Sequence, residues 1–318
     1  MEKSPDSCTE FYNGTEDRHP NISASAHLEE ILSYLLILLG FPGIIGNGIV
    51  IRHLAFKMKR NSVTVYILNL ALADSGTLIF LFLAGIRYLI SKDFLIELTE
   101  GFIWTYCIGQ LLLTVISFDR CLSLFFPIWY QYHQSTYLST TVCVITWINS
   151  FFIYAFNYAL FGFAWFKGFP PLYHILICTS VCVPLMLVSS LALFIKGYLK
   201  SQMKRQGKLL TAILLALFCF LIFSFPLIAI YIINVISNRK CLSFIPYGYL
   251  YACLNSSIKA SIYFLLGRKK EHTTMCNLQI SLQRLFEEEE EEENEKHPEV
   301  QVVSQLQYAH EKEISMFL

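Results

Sequence analysis

Seven blocks of apolar residues, separated by short polar connections, constrain this chain more than any other feature of its sequence. Each is about 20 or more residues long, the length an α-helix rising ~1.5 Å per residue needs to cross ~30 Å of hydrocarbon. They run from Ile31 to Leu54, Val63 to Ile90, Phe94 to Phe126, Leu138 to Phe161, Leu172 to Ile195, Leu209 to Ile236 and Leu242 to Leu266. The third carries Glu97 and Glu100 near its start and Asp119 and Arg120 near its end, so it is expected to extend past the bilayer at both faces. With 55% hydrophobic and only 15% charged residues, the chain is too apolar to cover its own surface as a soluble domain. The fold class that follows is an all-α membrane protein, a seven-transmembrane-helix bundle.

Seven spans place the termini on opposite sides, and the basic residues choose which is which, because short cytoplasmic connections retain positive charge. Lys57, Lys59 and Arg60 follow the first span; Lys196, Lys200, Lys204, Arg205 and Lys208 follow the fifth; Arg268, Lys269 and Lys270 follow the seventh. The opposite connections hold only Lys92, Lys167, Arg239 and Lys240, and the N-terminal segment adds Lys3 and Arg18. An extracellular N-terminus and a cytoplasmic C-terminus are therefore expected, in the plasma membrane, although the loop after the third span carries no Lys or Arg.

The segments outside the bundle divide by composition. Residues 1–30 read as an extracellular segment with glycosylation sequons at Asn13 and Asn21. A third match at Asn255 lies inside the seventh span, where no glycan could be attached. The N-terminal segment has no cleavage pattern, so the first of the spans in residues 31–266 is expected to act as its own uncleaved signal. Residues 267–286 mix Arg268, Lys269 and Lys270 with Leu278, Ile280, Leu282 and Leu285 as a juxtamembrane amphipathic helix would, and Cys276 sits where a palmitate would reinforce it. Residues 287–318 open with the repelling run Glu287 to Glu293 and read as an acidic disordered tail.

Charged groups inside a bilayer cost roughly 2.5–3.5 kcal/mol each on insertion scales, so the few present are the first candidates for function. Asp74 lies in the second span, about eleven residues or ~16 Å from its cytoplasmic end, and Lys259 stands within the apolar seventh. An acid and a base buried in different helices invite pairing, because each offsets part of the other's desolvation cost. Two readings stand side by side: a structural interhelical salt bridge, and a polar switch that rearranges between states. At the inner end of the third span, Ser117-Phe118-Asp119-Arg120-Cys121 is followed by Leu122-Ser123-Leu124-Phe125-Phe126-Pro127-Ile128-Trp129-Tyr130.

That stretch resembles the Mas-related receptors of the rhodopsin-like class, in which Glu-Arg-Cys-Leu-Ser precedes Pro-Ile-Trp-Tyr. Further family marks run from Gly46 to Arg268: Gly46-Asn47-Gly48, Asn69-Leu70 through Asp74, Trp147, Pro184-Leu185-Met186-Leu187-Val188-Ser189-Ser190, Phe223-Ser224-Phe225-Pro226, and Asn255-Ser256-Ser257 through Ile262-Tyr263. The resemblance implies a ligand-gated exchange catalyst for heterotrimeric G proteins of the Gq/11 or Gi type, with arrestin as a further partner and neither cofactor nor nucleic acid. It assigns coupling to Asp119, Arg120, Cys121, Pro127, Ile128 and Tyr263, with Asp119 holding Arg120 at rest. Helix kinks fall at Pro184 and Pro226, each of which deletes a backbone donor.

Departures from the pattern carry their own expectations. The seventh span reads Lys259-Ala260-Ser261-Ile262-Tyr263, without the usual Asn-Pro, so the ammonium of Lys259 would take the electrostatic place of a sodium ion beside Asp74. Ser224 replaces the tryptophan toggle of many receptors. Gln206 offers Arg120 no carboxylate, which predicts a weak resting lock and measurable basal signalling. Leu95 replaces the usual outer cysteine. Cys8 and Cys241 are the cysteines placed clearly outside, so a bridge between them stands against free or intermolecular thiols. Aromatic residues of the outer halves, Phe102, Tyr106, Tyr154, Tyr158 and Trp165, are candidate pocket residues. Phe102 replaces the aspartate of amine receptors; a peptide ligand remains open, with Asp93, Glu97 or Glu100 available to a basic one.

Other classes find less support. A transporter would use Asp74 and Lys259 as a relay, but no internal repeat is present. A receptor-like regulator without its own agonist fits the altered seventh span. No nucleophile-base pair, metal-ligand cluster or phosphate-cradling loop points to an enzyme.

Overall fold

The computed structural model describes residues 18–58, 60–92, 96–133, 135–162, 170–199, 208–236 and 245–267, which form eight α-helices. They are α1 (Arg18–Phe56), α2 (Ser62–Ser91), α3 (Ile96–Phe125), α4 (Pro127–His133), α5 (Thr136–Gly162), α6 (Pro170–Leu199), α7 (Lys208–Ile236) and α8 (Ile245–Gly267). Seven of them are long and form the expected bundle; α4 is a short helix in the connection after the third span. Asn13, Trp165, Gln206, Cys8, Cys241, Cys276 and everything expected of residues 268–318 lie outside the described residues. Helix α1 begins at Arg18, well before the apolar block, which puts Asn21 on a helix.

Five described stretches are long and apolar enough to cross a membrane: His27–Phe56, Ser62–Ser91, Leu98–Phe125, Thr136–Phe156 and Thr211–Ile230. Ile177–Leu193 of α6 is a shorter apolar stretch. The 30 residues of α3 span about 45 Å at helical rise, longer than the hydrocarbon core. Local chemistry sets the ends of α2. The Asn61 side chain accepts from the Thr64 amide at 2.8 Å while the Thr64 hydroxyl accepts from the Asn61 amide at 2.9 Å, a reciprocal cap. At the other end Lys92 adopts the left-handed conformation (φ 60°), its amide bonds Tyr88 O, and its ammonium lies 3.4 Å from Glu30 of α1.

Around the bundle, α1 packs on α2 and α8, α7 closes onto α8, and α6 lies against α7 and α3. Helix α3 occupies the middle, touching α2, α5, α6 and α7. Leu36, Ile67, Leu70, Leu78, Ile108, Leu112 and Phe220 are fully enclosed, whereas Leu38, Val188, Phe218 and Phe225 stand exposed on the outer surface, as side chains facing lipid do. Because lipid is as apolar as the core, packing and polar contacts between helices, and not hydrophobic exclusion from water, hold such a bundle together. Asn47 donates to Ser256 O at 3.2 Å, Trp147 Nε1 to Asn69 Oδ1 at 3.1 Å, and Thr77 meets Thr105 at 3.2 Å. Each ties two helices together.

Close approach of α1 to α8 depends on Gly43, where a Cβ would press into Ser257 and come within 3.0 Å of Leu78 Cδ1. Ser257 donates to Leu39 O at 3.3 Å, so it cannot rotate away without losing that bond. Gly43→Val is expected to destabilise the bundle by about 1–3 kcal/mol, the usual cost of overpacking. Thermal unfolding of the purified protein should register it as a clear fall in midpoint; an unchanged midpoint would mean that α1 is not clamped there.

Candidate functional site

Two polar clusters lie along the bundle, one in its middle and one at the end that carries Lys57, Arg60 and Arg120, here called the basic end. In the middle, the Lys259 ammonium of α8 donates to Asp74 Oδ1 of α2 at 2.8 Å. Both side chains are nearly enclosed, 3% and 4% exposed, so the pair sits in a low-dielectric site where neither charge is stable alone. Gly109 of α3 faces the carboxylate, and a Cβ there would stand in ordinary contact, 3.7 Å from Asp74 Oδ1. One helical turn beyond Lys259, Tyr263 is buried on the same face.

At the basic end, α3 stops because Pro127 disfavours the helical region for the residue before it, Phe126. Proline is well suited to the first position of the helix that follows, since its missing amide would be unpaired there. The resulting turn lays α4 back against α3 and brings Tyr130 over the acid-arginine pair. Arg120 Nη2 lies 3.0 Å from Asp119 Oδ2. The Tyr130 hydroxyl donates to the same Asp119 Oδ2 at 2.8 Å and accepts from Arg120 Nη2 at 3.2 Å. The three side chains thus close a ring, with Tyr130 itself buried at 8% exposure. Pro127 and Ile128 face outward, Ile128 being 84% exposed. Cys121 donates to Ser189 O of α6 at 3.3 Å.

Toward the other end, the aromatic candidates separate. Phe102 and Tyr106 are buried, their rings 5.8 Å apart, and Phe102 meets Tyr249 edge-on at 5.4 Å. The Tyr106 hydroxyl lies 3.0 Å from Ser224 Oγ of α7 and 3.5 Å from Asn255 Nδ2 of α8, so it joins three helices. Tyr154 of α5 donates to Glu100 Oε2 of α3 at 2.9 Å. Tyr158 is on α5. Pro184 and Pro226 both lie inside continuous helices, α6 and α7.

Tyr130 closes the Pro-Ile-Trp-Tyr tetrapeptide but carries no role expected from the sequence. The spacing offered a signal, since a residue three beyond a helix-starting proline returns toward the preceding helix. Gln110, which accepts from Thr179 of α6 at 3.2 Å, was missed altogether, because an amide within an apolar helix was hidden by its neighbours. Among the described residues no group of His, Cys, Asp and Glu could hold a metal ion.

No family model matches the chain. Curated relatives do. Over 299 residues it is 31% identical to the Mas-related G-protein coupled receptor member X1 of Mus musculus, covering 86% of this chain and 88% of that protein. To the proto-oncogene Mas of Homo sapiens it is 28% identical over 303 residues, 89% of this chain and 92% of the relative. Member D of Macaca fascicularis is 31% identical over 278 residues, 81% and 86% of the two chains. These relatives are receptors and not enzymes, and with the bundle and its Asp119–Arg120 site in view, the chain belongs to the Mas-related G protein-coupled receptors.

Proposed function

We propose that the receptor relays an extracellular signal, with peptides the first ligand class to screen, to heterotrimeric G proteins of the Gq/11 or Gi type, with arrestin a later partner. The observation that supports this reading is the Asp119–Arg120–Tyr130 ring beside the outward-facing Ile128. In this reading the N-terminus is outside, the basic end faces the cytoplasm, and the ring holds Arg120 away from the Gα subunit at rest. Activation swings α7 outward at its basic end, releases Arg120 to meet the C-terminal helix of Gα, and leaves Pro127 and Ile128 to pack against the G protein. Cys121 and Tyr263 belong to the same coupling region. The Tyr106–Ser224–Asn255 contact supports a trigger in place of the missing tryptophan, since movement of α7 must break it. Phe102, Tyr106, Tyr154, Tyr158 and Trp165 would sense ligand from above.

The test compares wild type with Arg120→Ala at matched surface expression, using a panel of Gα dissociation sensors without added ligand. Basal signalling by wild type that the substitution abolishes is the expected result, and the responding Gα names the subtype. Equal signals from both proteins would sink the coupling role of Arg120.

Lys259 also bears on ions. Its ammonium already neutralises Asp74, so a sodium ion would add a second cation to an enclosed site whose charge is already balanced. Basal signalling and thermal stability are expected to be the same in sodium and in N-methylglucamine buffers of equal ionic strength. A sodium-dependent shift in either would mean that the pair opens.

A further inference from the structure

A cavity of about 430 Å³ lies at the basic end between α3, α4, α5 and α6, with the tip of Tyr66 from α2. Its walls are apolar, including Val115, Leu122 and Val142, and it opens between Phe118, Leu138 and Leu185, which are 58%, 49% and 51% exposed on the surface that faces lipid. That size suits a drug-sized or lipid-like molecule. Its polar end is specific. Asp119 lines it, and both bonds the carboxylate accepts among the described residues fall on Oδ2, so that among those residues Oδ1 is left without a donor. Tyr130 and Ser139 complete that end.

We propose that this cavity is a membrane-accessible binding site for an uncharged amphiphile, an apolar body carrying one neutral hydrogen-bond donor such as a hydroxyl. The walls exclude a polar body, since burying unpaired polar groups there is unfavourable. The carboxylate selects the head. An anionic head would meet Asp119 with like charge, whereas Arg120 already balances that charge and removes the advantage of a cationic one. An occupant bonded to Oδ1 and packed beneath α4 holds Tyr130 on the Asp119–Arg120 pair and so favours the resting state. This regulatory consequence rests on the coupling role proposed for Arg120; the binding does not.

Purified full-length receptor in lipid nanodiscs is exposed to a photoreactive long-chain alcohol, and the labelled peptides are identified by mass spectrometry. Label is expected on the segments around Val115–Leu122, Leu138–Val142 and Leu185–Ser189. Val142→Trp, which fills the cavity, should reduce it by about tenfold, the loss of roughly one well-made contact set. Val144→Trp on the exposed face of the same helix should leave it unchanged. The carboxylic acid of the same chain should compete poorly. If Val142→Trp lowers thermal stability, Leu185→Trp at the cavity mouth takes its place. Label spread over all lipid-facing helices, or equal competition by the acid, overturns the site. In the sensor assay the alcohol should lower basal G protein activation by wild type; label in the cavity with no change in activation would overturn the regulatory step and leave the site standing. An Arg120→Ala receptor that signals like wild type would instead count against the coupling reading, without touching the labelling result.

Discussion

Asp74→Asn is expected to destabilise the receptor by about 3–5 kcal/mol, the largest effect of any single substitution considered, because it strands the Lys259 ammonium without its partner in an enclosed site. The side chain keeps its shape, so the loss is electrostatic. An amide cannot balance a cation, and an unpaired charge in the hydrocarbon region costs roughly 2.5–3.5 kcal/mol even on the more lenient scales. Surface expression should collapse and the unfolding midpoint of any purified material should fall steeply. Removing both charges is a different matter. Replacing a buried pair by apolar side chains of similar volume is often neutral or stabilising, so Asp74→Leu combined with Lys259→Met should recover expression. The double variant also separates the two readings of the pair. Normal signalling would make it a structural bridge, whereas a folded receptor locked in one state would make it a switch. A single Asp74→Asn variant as stable as wild type would show that Lys259 finds another partner or reaches water.

Tyr130→Phe should raise basal G protein activation strongly. The substitution removes one oxygen, and with it the 2.8 Å bond to Asp119 and the 3.2 Å bond from Arg120, while the ring can still fill its buried position. Hydrogen bonds to charged groups contribute about 1.5–3 kcal/mol, and a resting state weakened by the lower figure shifts the equilibrium about tenfold toward the active state. Sensor measurements at matched expression are the check. Unfolding stability should fall by no more than the same ~1.5–3 kcal/mol, since the ring stays packed, whereas lost packing would lower stability without raising activation. Unchanged basal activity would mean that Asp119 alone restrains Arg120. In the proposed reading the weak lock expected from Gln206 is supplemented by this contact from α4, and the size of basal signalling in wild type reads what restraint remains.

The seven apolar blocks, the order of motifs that identifies the family and the candidate partnership of Asp74 with Lys259 were all legible in the amino-acid sequence. Membrane thickness sets the length of each block, and the cost of an isolated intramembrane charge makes any exception conspicuous. Helix α4 and its return of Tyr130 to Asp119 were signalled only by the spacing from Pro127, and the Tyr106–Ser224–Asn255 junction and the cavity beneath α4 were not legible. In a soluble helix an apolar stripe reveals which side faces the core. Here the sides facing lipid and the sides facing neighbours are both apolar, as Phe218 and Phe220 of α7 illustrate, one exposed and the other enclosed two residues apart. Rotation of each helix is decided by contacts between residues distant in the chain, such as Asn47 with Ser256 and Asn69 with Trp147, and only the packed bundle brings those together.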